Sequence, residues 1–189
     1  MFTREKLQNC TRCSLHKTRT HALAGEGNNN ADVMLIAQAP GELEDTENKM
    51  FIGPSGRILH TILKEADICE DKLYMTNLIK CVLPKNRRPK QSEIEACSTY
   101  LDIEIEELAP KILVPLGYYA TKYIFEKYSL QQFARSEFPE LIGKLFVADN
   151  MHIFPLSHPA LLLYRNEFYK NSVENFSNLR KIIEKNDYN

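Results

Sequence analysis

The run Asp32-Val33-Met34-Leu35-Ile36-Ala37, halted by Pro40-Gly41, constrains the fold of this 189-residue chain more than any other segment. A short continuous apolar run bounded by turn residues reads as a buried strand. The next stretch changes period. Ile58, Leu59, Ile62 and Leu63 form an i, i+1, i+4, i+5 stripe and predict a helix from about Ser55 to Asp67. Strand and helix then alternate. Lys72 to Leu78 is strand-like, and Ser92-Glu93-Ile94-Glu95 fits a capping box opening a helix through Ile94, Cys97, Leu101, Ile105 and Leu108, ended by Pro110. Lys111 to Leu116 reads as a strand and Tyr118 to Tyr128 as a helix. Leu145-Phe146-Val147 and His152 to Leu156 read as a pair of strands. A last amphipathic helix uses Val173, Phe176, Leu179, Ile182 and Ile183. This order predicts an α/β fold: a three-layer α/β/α sandwich around a central, mainly parallel four-stranded sheet. With no repeat, low-complexity tract or linker, residues 1–189 read as one domain.

Composition narrows the class. The chain is 43% hydrophobic and 26% charged, and it holds no apolar run near the ~20 residues a membrane span needs. That excludes a disordered chain, a coiled coil and a helical membrane protein. Met1 to Lys6 carries no apolar core of a secretory signal, so a cytoplasmic location is expected. The formal net charge of -1 conceals segregation. Residues 72–92 hold Lys72, Lys80, Lys85, Arg87, Arg88 and Lys90 and no acid, whereas residues 93–107 hold six acids and no base. A local basic patch is all that a phosphate backbone requires. On charge alone, the plainer reading is a solvated loop beside a solvated helix face.

Chemistry concentrates after the strands. Gln38-Ala39-Pro40-Gly41, Asn77 and Ser157-His158-Pro159 each follow a predicted strand. Open α/β sheets bind ligands at the carboxyl ends of their strands, so these loops are expected to form one composite site. Five cysteines are an odd count for a disulfide set in a cytosolic protein. Cys10 and Cys13 form a C-x-x-C, with Cys81 and Cys97 far downstream. These four suit tetrahedral metal ligation or plain packing, metal favoured, and Cys69 stands apart.

Taken in order, these pieces resemble the family 4 uracil-DNA glycosylases, the iron–sulfur members of their superfamily. The carrying motifs are Cys10-Thr11-Arg12-Cys13, Ala37-Gln38-Ala39-Pro40-Gly41-Glu42-Leu43-Glu44-Asp45 and Lys49-Met50-Phe51-Ile52-Gly53. They continue with Thr76-Asn77-Leu78-Ile79-Lys80-Cys81, Pro84-Lys85-Asn86-Arg87-Arg88-Pro89, Cys97, and His158-Pro159-Ala160-Leu161-Leu162-Leu163.

The resemblance implies a monofunctional enzyme that flips deoxyuridine out of single- or double-stranded DNA and hydrolyses its N-glycosidic bond, acting as a monomer in base-excision repair. It implies that Phe51 stacks on uracil, that Asn77 reads O4 and N3–H, and that His158 donates to O2 with help from the Gln38 and Ala39 amides. The other histidines, His16, His21, His60 and His152, have no comparable context. Glu44 matches a family carboxylate that would orient water or stabilise the sugar cation, with Glu42 and Asp45 in reserve. The family has Glu where this chain has Gln38, and Gly41 stands where another branch has a tyrosine that blocks thymine. Leu161, Leu162 and Leu163, with Arg165 beyond, match a minor-groove wedge, and Lys85, Asn86, Arg87 and Arg88 a phosphate clamp. Cys10, Cys13, Cys81 and Cys97 match the ligands of a structural [4Fe-4S] cluster, with zinc the second choice. Two other readings compete: a non-catalytic iron–sulfur nucleic-acid-binding module on this fold, and a zinc-stapled α/β protein of unrelated chemistry.

Overall fold

The structure, a computed structural model, describes residues 4–186. The start of the N-terminal segment read for a secretory signal lies outside them. A short helix α1 (Arg4–Gln8) and the cysteine-bearing loop lead to a two-residue strand β1 (Glu26–Gly27) and then β2 (Val33–Ala37). Helices α2 (Glu42–Glu47) and α3 (Pro54–Glu65) precede β3 (Leu73–Asn77), and α4 (Gln91–Leu108) precedes β4 (Ile112–Pro115). Helix α5 (Tyr118–Lys127), the strands β5 (Phe146–Ala148) and β6 (Met151–Ile153), and α6 (Tyr169–Asn186) complete the order.

The sheet has six strands in the order β1-β3-β2-β4-β6-β5. Its centre, β3-β2-β4-β6, is the expected parallel four. The difference lies at the edges, where β1 and β5 add antiparallel strands to β3 and β6. All five residues of β2 are buried, as a central parallel strand requires. Its side chains alternate between two cores. Met34 and Ile36 join Ile94, Leu101, Ile124 and Phe125 under α4 and α5. Val33 and Leu35 join Leu59, Ile62, Phe176 and Leu179 under α3 and α6. Helices thus cover both faces, which makes the three layers. Among the described residues no helix is long and apolar enough to cross a membrane.

Most boundaries shift by one to three residues from the sequence reading, and at the start of α4 the shift changes the cap. Helix α4 begins at Gln91, and the carboxylate that reaches back is Glu93, not Glu95: Glu93 Oε2 accepts the Lys90 N–H at 2.9 Å. Glu93 also pairs with Arg87, so one carboxylate fixes both the helix start and the preceding loop. The helix stops just before Pro110, where Ala109 turns left-handed at φ 48°.

Candidate functional site

The chain leaves β2 toward β3 on one side of the sheet and leaves β4 toward β6 on the other, so a crevice opens between the carboxyl ends of these neighbouring strands. There a cleft of about 720 Å³ is lined by Gln38, Ala39, Gly41, Glu44, Phe51, Asn77 and His158. The three loops singled out from the sequence therefore meet. Backbone pairing holds the first two together, Leu78 N–H donating to Ala37 O at 2.8 Å and Ile79 N–H to Gln38 O at 3.0 Å, and Gly117 N–H donates to Leu156 O at 2.8 Å just before the third.

His158 follows β6, whose pairing beside β4 continues through a bridge between Leu116 and Leu156. Its Nδ1 accepts the Ala160 N–H at 3.1 Å. An accepting Nδ1 carries no proton, so the neutral ring has its hydrogen on Nε2. Burial pushes the imidazole down to about 4, which keeps it neutral near pH 7. The group is therefore a hydrogen-bond donor rather than an acid. Gly117 makes room for it: a Cβ there would lie 3.1 Å from His158 Cβ, and its φ of +86° suits glycine.

Asn77 closes β3 opposite Ala37 and is only 3% exposed. The one side-chain hydrogen bond it makes among the described residues runs from Nδ2 to Met50 Sδ at 3.4 Å. Thioether sulfur is a weak acceptor, so the carboxamide retains most of its bonding capacity for a ligand. Phe51 packs at the cleft wall with φ +54°, a left-handed backbone unusual for an aromatic residue.

Glu44 is buried, and its Oε1 accepts the Gly53 N–H at 2.8 Å, at the N-terminus of α3. A carboxylate is favoured at that end of a helix. A Cβ at Gly41 would lie 2.6 Å from Glu44 Oε2, so the second oxygen passes close over a bare glycine on the cleft side. Asp45, held in reserve for this role, is consumed elsewhere: Oδ2 accepts Thr20 N–H at 2.8 Å and Oδ1 accepts His21 N–H at 3.1 Å. It ties α2 to the segment behind the cysteine loop. Glu42 is exposed at the cleft rim.

The basic loop reaches the cleft through Asn86, beside Lys85, both left-handed and exposed. Two of the six cations counted in the sequence are committed internally. Arg87 grips Glu93 through both terminal nitrogens. Lys80 is fully buried, its Nζ bonded to Glu104 and to Thr76 Oγ1. Lys85 and Arg88 remain exposed. In the turn after His158, Leu162 points inward into the core beside α3 and α6, because a turn of this pitch sends neighbouring residues to different sides. Leu161, Leu163 and Tyr164 are the exposed members, Tyr164 at 86%. Arg165 pairs loosely with Glu167 at 3.4 Å.

Cys10, Cys13, Cys81 and Cys97 line a single small void away from the cleft, whereas Cys69 is exposed and apart. N–H groups point at two of the sulfurs: Arg19 Nη1 donates to Cys81 Sγ and the Lys80 amide to Cys97 Sγ, both at 3.2 Å. Burial raises both thiols, Cys97 up to about 12, while Arg19 opposes the rise at Cys81. An all-cysteine set with N–H donors at sulfur suits soft metal centres, zinc or iron–sulfur. Among the described residues no three His, Cys, Asp or Glu side chains stand close enough to share one metal ion.

Sequence reasoning missed Arg19, the space Gly117 leaves for His158, the tie from Asp45 to Thr20 and His21, and the Lys80–Thr76–Glu104 cluster. For Lys80 the signal was present, because Leu78, Ile79, Cys81, Val82 and Leu83 surround it with apolar neighbours.

The family model of the uracil DNA glycosylase superfamily matches residues 24–184. The chain is 39% identical over 184 residues to a type-4 uracil-DNA glycosylase of Sulfurisphaera tokodaii, covering 95% of this chain and 82% of that one. It is 32% identical to the type-4 uracil-DNA glycosylase of Thermotoga maritima, over 98% of this chain and 99% of that one. A third, from Archaeoglobus fulgidus, is 30% identical over 95% of this chain and 91% of its own.

Proposed function

The chain belongs to the uracil DNA glycosylase superfamily, beside its type-4 members, and on that premise we propose that it removes uracil from DNA through the cleft of His158, Asn77, Phe51 and Glu44. It hydrolyses the N-glycosidic bond of deoxyuridine and leaves an abasic site. The target atom is unreachable inside a stacked duplex, so the nucleotide swings into the cleft, whose volume of about 720 Å³ admits it. Phe51 stacks on the base. The Asn77 carboxamide donates to O4 and accepts from N3–H, a pattern cytosine does not offer.

As the C1′–N1 bond breaks, its electron pair moves into the ring and collects on O2. The Nε2–H of neutral His158 donates there, with the Gln38 and Ala39 amides beside it, and stabilises the leaving anion without giving up a proton. Glu44, anchored through Oε1, offers Oε2 to water and to the positive charge on the sugar. Water adds to C1′, its proton is released, and uracil departs. That carboxylate supplies what Gln38 lacks, which favours catalysis over a binding module.

Lys85 and Arg88 contact phosphates, and Leu161, with Leu163 and Tyr164, fills the vacated stack. Cys10, Cys13, Cys81 and Cys97 would hold a [4Fe-4S] cluster, which would tie the N-terminal loop to the two ends of the basic loop, at Cys81 and in α4, and would supply no step of the hydrolysis. We assign residues 1–189 to one domain acting as a monomer inside the cell.

The observation that carries the reading is the tautomer of His158, fixed by Ala160, in one cleft with Asn77. The test is release of free uracil from oligonucleotides carrying uracil in single-stranded DNA and in U·G and U·A duplexes. Release without strand scission is expected, with cleavage lost and DNA binding kept in His158→Ala and Asn77→Ala. Binding without release by the unaltered protein would sink it. For the cysteines, a brown protein with four irons is expected, and a colourless one holding a single zinc would overturn the cluster.

A further inference from the structure

Phe51 takes a left-handed backbone at φ +54°, which a residue carrying a Cβ enters only when its surroundings hold it there. Two neighbours do so. Gly56, in the first turn of α3, lets the Phe51 carbonyl approach: a Cβ at Gly56 would sit 1.7 Å from that oxygen. The same oxygen meets His60 Nε2 at 3.0 Å. On its other side, His60 Nδ1 meets Glu70 Oε1 at 2.7 Å. Both partners only accept. A neutral imidazole has one N–H, so both contacts are hydrogen bonds only when both nitrogens carry protons. When one proton leaves, the other stays on Nδ1 against the carboxylate, where the bond is charge-assisted, and Nε2 then turns a lone pair toward the carbonyl.

We infer that His60, backed by Glu70, is a positioning residue that holds the Phe51 turn, and with it the ring that stacks on uracil, in its protonated form. The charged and titratable groups around the imidazole are Glu70, Asp71 and Cys69 before β3, Lys64 and Asp67 at the end of α3, Glu26 on β1 and Lys49 after α2. The inference rests on the reading of Phe51 as the stacking ring.

The test uses free uracil as an inhibitor of the intact enzyme, with kcat and KM on a single-stranded uracil oligonucleotide, from about pH 5.5 to 9, the span across which histidine changes charge. Inhibition by uracil is expected to weaken with rising pH in the unaltered enzyme. His60→Gln, whose amide nitrogen reaches the place of Nε2, keeps tight inhibition and abolishes the pH response. His60→Ala weakens inhibition by about threefold to tenfold, the worth of one hydrogen bond, and raises KM more than it lowers kcat. Glu70→Ala, which removes the acceptor at Nδ1, weakens inhibition in the same direction as His60→Ala. If His60→Ala inhibits and titrates like the unaltered enzyme while Phe51→Ala weakens inhibition, the role of His60 is wrong and the stacking reading stands. If Phe51→Ala also changes nothing, both fall.

Discussion

The charge state of His158 decides what kind of catalyst the cleft holds. Burial sets its imidazole at about 4, and the Ala160 amide fixes the remaining proton on Nε2. At saturating substrate, kcat should therefore show no inflection from this residue between about pH 5 and 8. Removing the donor with His158→Ala should cost about 10²- to 10³-fold in kcat, as for other single donors at a developing oxyanion. A stability consequence follows with a definite sign. The unfolded histidine takes up its proton near 6.5 and the folded one near 4, so as pH falls through that window the unfolded chain binds more protons. The contribution is complete above about 6.5 and is lost on the way down to about 4. Urea midpoints at about pH 7 and 4.5 should thus fall further for the unaltered protein than for His158→Asn. The position of His158 was legible in the sequence; its tautomer was not, because a backbone amide in the following turn sets it. Glu44 and Asp45 show the same limit. They are adjacent acids in one motif, yet helix geometry separates their directions by about 100°, so one reaches the cleft and the other the Thr20 and His21 amides behind the cysteine loop.

At the scale of elements, the central strands and long helices were legible because their apolar periods are uninterrupted. One edge was not: β1 is two residues long and carries no pattern to read, whereas β5 at the other edge falls within one residue of the strand read at Leu145 to Val147. The start of α4 was misplaced because Ser92 and Glu95 fit the cap motif as written, while the tertiary pair with Arg87 selects Glu93. The turn after His158 gives a clean comparison of neighbours. Leu162→Ala should cost about 2–5 kcal/mol of stability, as a core truncation does, with uracil release per folded molecule little changed. Leu161→Ala should stay within about 0.5 kcal/mol in urea unfolding but weaken DNA binding measured by fluorescence anisotropy. Equal stability losses would mean that both leucines are core. Behind the site, Lys80 Nζ and Thr76 Oγ1 share Glu104 Oε2, while Glu104 Oε1 accepts the Gly25 N–H at 2.9 Å. Lys80 lies between Asn77 and Cys81, so this cluster joins the base-reading strand end to the cysteine region. Lys80→Met leaves a buried carboxylate unpaired and should cost about 3–5 kcal/mol. Adding Glu104→Gln should recover part of that loss; no recovery would mean that the ion pair is not the source.

For the whole molecule, a net charge of -1 gives no long-range attraction to a polyanion, so DNA affinity must come from where the cations stand. The sequence located the basic window but could not separate its members, since partners from α4 lie outside it. In the fold, Arg87 and Lys80 neutralise Glu93 and Glu104. Arg88 has no ion-pair partner among the described residues, and Lys85 stands beside Asn86 at the cleft. The two adjacent arginines should accordingly separate in two different assays. Each phosphate neutralised contributes about 0.9 to the slope of log affinity against log salt on duplex DNA. Arg88→Ala should lower that slope by about one contact and leave the urea midpoint unchanged. Arg87→Ala should leave the slope nearly intact and lower stability, because Glu93, 2% exposed at its side chain, then loses the bidentate partner that holds its carboxyl below the usual range. If both variants flatten the salt dependence equally, Arg87 releases Glu93 to bind DNA. The loop then changes partners on binding instead of presenting a preformed clamp.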